Sequence, residues 1–219
     1  MKLRICHLYG NLMNTYGDNG NLLMLQHRAK KLGYEVETTL ISLEEDFNPE
    51  EFDIVMFGGG QDYEQTVVAK DLQNKKETLI QYIEDDGVVV AICGGFQLLG
   101  RYYVNASGER LNGISAIDVC TNGQFPNRLI GDVEIFNEEF GETYLGYENH
   151  IGRTYLGKNM KPLGKVVKGF GNNEEDHAEG CHYKNVFCSY FHGPILVRNQ
   201  HLADRIIKTA AARRLSKNA

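Results

Sequence analysis

Two short, wholly apolar runs end abruptly in glycine: Ile54–Phe57 runs into Gly58-Gly59-Gly60, and Val88–Ile92 into Cys93-Gly94-Gly95. A strand with one wet face alternates polar and apolar residues; a strand with no polar position must be covered on both faces. That requirement selects a mostly parallel sheet flanked by helices. The neighbouring sequence supplies the rest of such an α/β unit. Lys2–Tyr9 and Val36–Ile41 predict two more strands. Asn19–Leu32 predicts a helix, with Leu22, Leu25, Ala29 and Leu32 on one face and Gly33 as its terminator. A helical stretch should end near Gly87, and another should run from Phe96 towards Tyr102 after the Cys93 turn.

The second half is less regular. Leu129–Phe136, Val186–Phe191 and Ile195–Val197 predict strands, and Leu202–Leu215 a closing helix. The pattern is weakest between Asn105 and Gly180. No repeat or Pro/Gly-rich linker divides the chain, so one domain over residues 1–219 is expected. With 42% apolar residues it can build a core without disulfides or metals. The net charge is -6, and the basic residues from Arg205 to Lys217 lie on an Ala-rich helix. They suit a solvated helix end, not a nucleic-acid footprint. The five cysteines have no regular spacing, the chain opens directly on a strand, and no apolar stretch approaches the ~20 residues of a membrane span. Reduced thiols in a cytoplasmic protein are expected.

Ala91-Ile-Cys-Gly-Gly-Phe-Gln97 is the most informative stretch. Small residues on both sides of a cysteine, at a strand-to-helix turn, fit a nucleophile elbow. Such a turn exposes the sulfur at the carboxyl end of the sheet and at a helix N-terminus, which favours the thiolate. The Gly94 N–H would face an oxyanion beside it. A buried structural cysteine would need neither the glycines nor the turn. Gly58-Gly59-Gly60-Gln61-Asp62 could give a second backbone donor, or be a flexible turn; the Lys-Ser/Thr of a phosphate loop is missing. Two histidines compete as base: His192, just after a strand and before Gly193-Pro194, and His150 in Tyr147-Glu-Asn-His150.

These segments resemble those of the CobB/CobQ-like class I glutamine amidotransferases. Phe57-Gly-Gly-Gly-Gln-Asp62, the cysteine elbow, Gly146-Tyr-Glu-Asn-His-Ile-Gly-Arg-Thr154 and Asn185-Val-Phe-Cys-Ser-Tyr-Phe-His-Gly-Pro194 occur in the family's order. With Leu8-Tyr-Gly-Asn-Leu-Met-Asn-Thr-Tyr-Gly17 they span nearly the whole chain. The resemblance implies a flavodoxin-like single domain that hydrolyses L-glutamine to glutamate and ammonia. It implies Cys93 as nucleophile, His192 as base, oxyanion donors at Gly60 and Gly94, Gln97 beside the glutamine, and Arg128 on the substrate's carboxylate. It also implies a Mur ligase-like synthetase subunit of the MurT type. That partner would carry ATP and Mg²⁺ and use the ammonia to amidate D-glutamate of lipid II in peptidoglycan synthesis.

Two positions depart from the family pattern. Ala91 stands where many relatives have glycine. Pro194 stands where class I enzymes commonly place the glutamate that orients the histidine. A third catalytic acid is therefore expected from the partner, with Glu148 as the in-chain competitor and a Cys–His dyad that needs no third residue as the alternative. No cofactor or metal is expected in this chain. His177, Cys181, His182 and Cys188 lack a Cys-x2-Cys knuckle. The rival readings are the glutaminase of another amidotransferase, such as a cobyric-acid type, and a non-catalytic binding module on the same fold.

Overall fold

The apolar runs form the middle of a parallel sheet. The computed structural model describes residues 1–217; the last two positions of the expected 1–219 domain lie outside the described residues. The first half comprises β1 (Lys2–Leu8), α1 (Asn19–Lys31), β2 (Glu35–Ile41), β3 (Ile54–Phe57), α2 (Asp62–Leu72), α3 (Lys76–Glu84), β4 (Val88–Ile92) and α4 (Gly94–Leu99). Then come β5 (Tyr102–Val104), β6 (Arg110–Asn112), β7 (Val119–Asn122), β8 (Leu129–Asn137), β9 (Glu142–His150), β10 (Arg153–Leu156) and β11 (Gly164–Lys168). The chain closes with β12 (Ala178–Glu179), β13 (Cys181–Tyr183), β14 (Val186–Ser189), β15 (Phe191–His192), α5 (Ile195–Arg198) and α6 (Gln200–Lys217).

The central sheet has the order β13-β14-β4-β3-β1-β2, parallel throughout except for β13 at one edge. Its pleat sorts the side chains into two layers. Leu3, Ile5, Ile54, Met56, Val88 and Val90 face α1 and α6, while Cys6, Leu8, Val55, Phe57, Val89 and Ala91 face α2 and α3. Burying each Val, Leu or Ile is worth roughly 1.5–3 kcal/mol. A one-residue slip would exchange the two layers, so the register is fixed by packing. The basic residues of α6 are tied down: Arg205 to Glu142, Arg214 to Asp53 and Lys217 to Glu50. Among the described residues no helix is long and apolar enough to cross a membrane.

The second half builds two smaller sheets, β10-β7-β5-β6 and β12-β11-β8-β9-β15. Three expectations change here. The helix after the elbow ends at Leu99, and Tyr102 already belongs to β5; a Cβ on Gly100 would lie 2.8 Å from the Val119 carbonyl, so the chain passes that strand too closely to continue the helix. The single strand Val186–Phe191 is two strands in different sheets. β14 pairs with β4, whereas β15 crosses to pair antiparallel with β9. The crossing is held by buried Glu179, whose Oε1 accepts from the Ser189 hydroxyl and the Tyr190 N–H. Ile195–Val197 lies within one helical turn, not a strand. Pro194 sets the entry, and the Leu196 N–H donates to Asn21 Oδ1, which draws the segment against α1.

Candidate active site

Cys93 follows β4 with φ +51°, a left-handed conformation rare for a side-chain-bearing residue, and α4 starts at the next residue. Strain of this kind, of order 1–3 kcal/mol, persists only where surrounding contacts enforce it. The glycines around it are required by space. A Cβ on Gly95 would stand 2.5 Å from the Phe57 carbonyl, and one on Gly94 2.8 Å from Gln65 Nε2. Gly95 N–H is committed to the Gly58 carbonyl and Gly59 N–H to Asp18 Oδ2, while Gly60 N lies 3.0 Å from where a Cβ on Gly94 would stand, so the two glycine turns are in close contact.

The sulfur opens into a cleft of about 840 Å³ whose lining includes Gly60, Gln65, Gln97, Arg128 and Asn149. Gln97 forms part of its floor, with both ends of its amide engaged: Oε1 accepts from Gln65 Nε2 at 2.8 Å and Nε2 donates to the Tyr190 hydroxyl at 3.0 Å. Arg128 stands exposed at the mouth.

His192 sits behind Cys93, only 3% exposed, with the Tyr16 ring laid over it at 4.6 Å between centroids. Burial alone would lower its pKa. Asp18 and Cys93 outweigh that and push it up to about 9, so at neutral pH the ring is an imidazolium. Asp18 Oδ1 is 3.9 Å from His192 Nδ1, an ion-pair distance longer than a hydrogen bond. Its Oδ2 accepts from the Gly59 N–H at 2.6 Å, and the Thr15 N–H donates to the Gly59 carbonyl at 2.9 Å. One buried carboxylate therefore fixes the glycine loop and faces the histidine.

The competing histidine has a different environment. His150 forms part of the cleft wall, is stacked on Tyr190 at 3.9 Å and hydrogen-bonds the Gly152 carbonyl through Nδ1. Burial lowers its pKa, outweighing the opposing pull of Glu148 and the Gly152 carbonyl. Glu148, expected as a third acid, accepts from the Phe170 and Gly171 N–H groups and lies 3.9 Å from His150 Nε2. Asp18 escaped the sequence reading because an aspartate just before a helix passes for an N-cap. It occupies that position in α1, yet its side chain makes no capping hydrogen bond.

Cys181 and Cys188 face each other across β13 and β14, and the His182 ring stacks on Phe187. No three His, Cys, Asp or Glu residues among those described converge as a metal site.

A CobB/CobQ-like glutamine amidotransferase domain matches residues 4–200. The chain is 60% identical over 209 residues to the GatD subunit of lipid II isoglutaminyl synthase (glutamine-hydrolyzing) of Streptococcus pneumoniae, covering 95% of this chain and 80% of that one. It is 41% identical to the GatD subunit of Staphylococcus aureus, covering 97% of this chain and 86% of the relative. A crystal structure of a glutamine amidotransferase superposes with a TM-score of 0.60 at 15% identity, over 94% of this chain and 98% of that one, a likeness of fold.

Proposed function

This chain belongs to the CobB/CobQ-like glutamine amidotransferase family, and we propose that it is the glutaminase subunit of a lipid II isoglutaminyl synthase. The observation that carries the reading is the Cys93 elbow paired with a buried imidazolium at His192, in a chain 60% identical to a named GatD subunit. The Cys93 thiolate attacks the carboxamide carbon of glutamine. Gly60 N–H and Gly94 N–H receive the oxyanion, and Arg128 holds the α-carboxylate. His192 gives its proton to the departing nitrogen, and ammonia leaves a thioester on Cys93. Water then adds to the thioester, His192 takes its proton, and glutamate departs with the thiolate restored. Gln97, with both ends of its amide engaged, shapes the floor under the substrate.

The ammonia is consumed by a Mur ligase-like subunit of the MurT type, which amidates D-glutamate of lipid II in the cytoplasm. ATP and Mg²⁺ belong to that subunit. A cobyric-acid-type role has less support, because the relatives above match this chain over most of their own length.

A glutamine analogue bearing an electrophilic diazoketone tests the chemistry. It should alkylate Cys93 and spare Cys6, Cys181 and Cys188, which are buried and whose thiol pKa values burial raises. Half-buried Cys120 should also be spared. Label found mainly elsewhere would overturn the assignment. Cys93→Ala should abolish hydrolysis. His192→Ala should lower kcat by ~10²–10⁴-fold, as loss of a general base does, and His150→Ala by less; the reverse ranking would move the base to His150.

A further inference from the structure

Arg128 is hydrogen-bonded, among the described residues, to Asn149 alone. Its Nε donates to Asn149 Oδ1 at 2.8 Å and its Nη2 to the Asn149 carbonyl at 2.9 Å. One edge of the guanidinium is thus occupied by a single residue, Nη1 makes no hydrogen bond among the described residues, and Arg128 lines the cleft. Both side chains come from the same end of the β8–β9 hairpin, where Leu129 pairs with His150 and Ile130 with Asn149. Asn149 Nδ2 in turn donates to the Tyr16 hydroxyl at 3.1 Å. Tyr16, held at φ +59°, is the ring that covers His192. The chain of contacts Arg128–Asn149–Tyr16–His192 spans the mouth from the carboxylate end to the base.

We propose that Asn149 is a positioning residue for substrate selection, which aims the open edge of Arg128 at the α-carboxylate of glutamine and ties that aim, through Tyr16, to the cover over His192. The proposal rests on the reading of Arg128 as the carboxylate holder. Asn149 accepts from Arg128 and donates to Tyr16 at once without placing a charge beside the guanidinium; a carboxylate would instead receive the Tyr16 O–H and neutralise Arg128, and a methyl group would hold neither. A guanidinium held along one edge is also oriented before substrate arrives, so less freedom is lost on binding.

The test compares glutamine with γ-aminobutyramide, which is glutamine without its α-carboxylate, in the chain assembled with its synthetase subunit. The saturation constant for diazoketone alkylation of the isolated chain gives a second measure, independent of turnover. Arg128→Ala should raise KM for glutamine about tenfold or more, the scale of a charge-assisted hydrogen bond, with kcat little changed. Asn149→Ala should also raise KM, and both variants should weaken the preference for glutamine over γ-aminobutyramide. Tyr16→Phe should raise KM slightly and add nothing on top of Asn149→Ala. Asn149→Asp keeps an acceptor for Arg128 but sets a negative charge beside it, so its KM should exceed that of Asn149→Ala. This variant decides the matter if the alanine variant fails to fold. An unchanged preference in Asn149→Ala beside a weakened one in Arg128→Ala would overturn the role of Asn149 alone. An unchanged preference in Arg128→Ala would overturn the reading of Arg128. Additive effects of Tyr16→Phe and Asn149→Ala would break the link between them.

Discussion

Asp18 is 1% exposed, and its Oδ1 has no hydrogen-bond partner among the described residues. A buried carboxylate with a free oxygen is costly unless a cation faces it, and His192 is the cation in place. Asp18→Asn keeps the size of the side chain and an acceptor for the Gly59 N–H but removes the charge. Because Asp18 helps hold the His192 pKa at about 9, the alkaline limb of the kcat/KM profile should move to lower pH. The value of kcat should also fall by roughly 10–100-fold as the ring loses its orienting partner. An unchanged profile would remove Asp18 as the third acid, leaving a residue of the synthetase subunit or a Cys–His dyad without one.

Among the elements, the elbow between β4 and α4 has the least room. Gly95→Ala would set a methyl group 2.5 Å from the Phe57 carbonyl, against backbone that cannot rotate away. Overpacking of this kind costs ~1–3 kcal/mol, and in a domain of this size each kcal/mol lowers Tm by about 2–4 °C. A thermal shift of several degrees is expected, and an unchanged Tm would show that α4 can move away from β3. This region was legible in the sequence because continuous apolar strands and clustered glycines are local signals, each with one physical reading. The break at Tyr190 was not. Val186–Phe191 looks like one strand, and its division depends on Glu179 and β9, which lie far off in sequence. Nor could Ile195–Val197 be read correctly, since β-branched residues favour strands until Asn21 and Pro194 impose a helical turn. The Cys93 turn was legible from its local context, whereas local context left His192 and His150 as competitors and the family resemblance chose His192. Asp18 became visible only when its side chain was seen pointing away from the helix it precedes.

Across the whole molecule, among the buried groups that hold protons the unfolded chain releases earlier, Glu179 and His192 do so nearest neutral pH. Glu179 is pushed up by burial to about 8 from 4.5, and His192 up to about 9 from 6.5. Between pH 4.5 and 8 the folded state binds more protons at Glu179, and between 6.5 and 9 more at His192. In these windows the two groups contribute less stability as pH rises. His7, His150 and His182, whose pKa values burial lowers from 6.5, act in the opposite sense at lower pH, so the decline belongs to the range above 6.5. Asp204, held low by its hydrogen bond from Arg28, acts in the opposite sense, with stability lost as pH falls through its folded value. Tm should decline from pH 6.5 to 9, and Glu179→Gln should flatten the lower part of that decline; a wild-type Tm constant over the range would refute the linkage. The crossing held by Glu179 also matters while the chain is being made. A ribosome delivers Cys93, just after β4, long before His192 on β15, and α6, which covers one face of the central sheet, follows later still. On the proposed assignment, a nascent polypeptide ending before β15 carries the thiol without its base and lacks the helix that covers that face of the core.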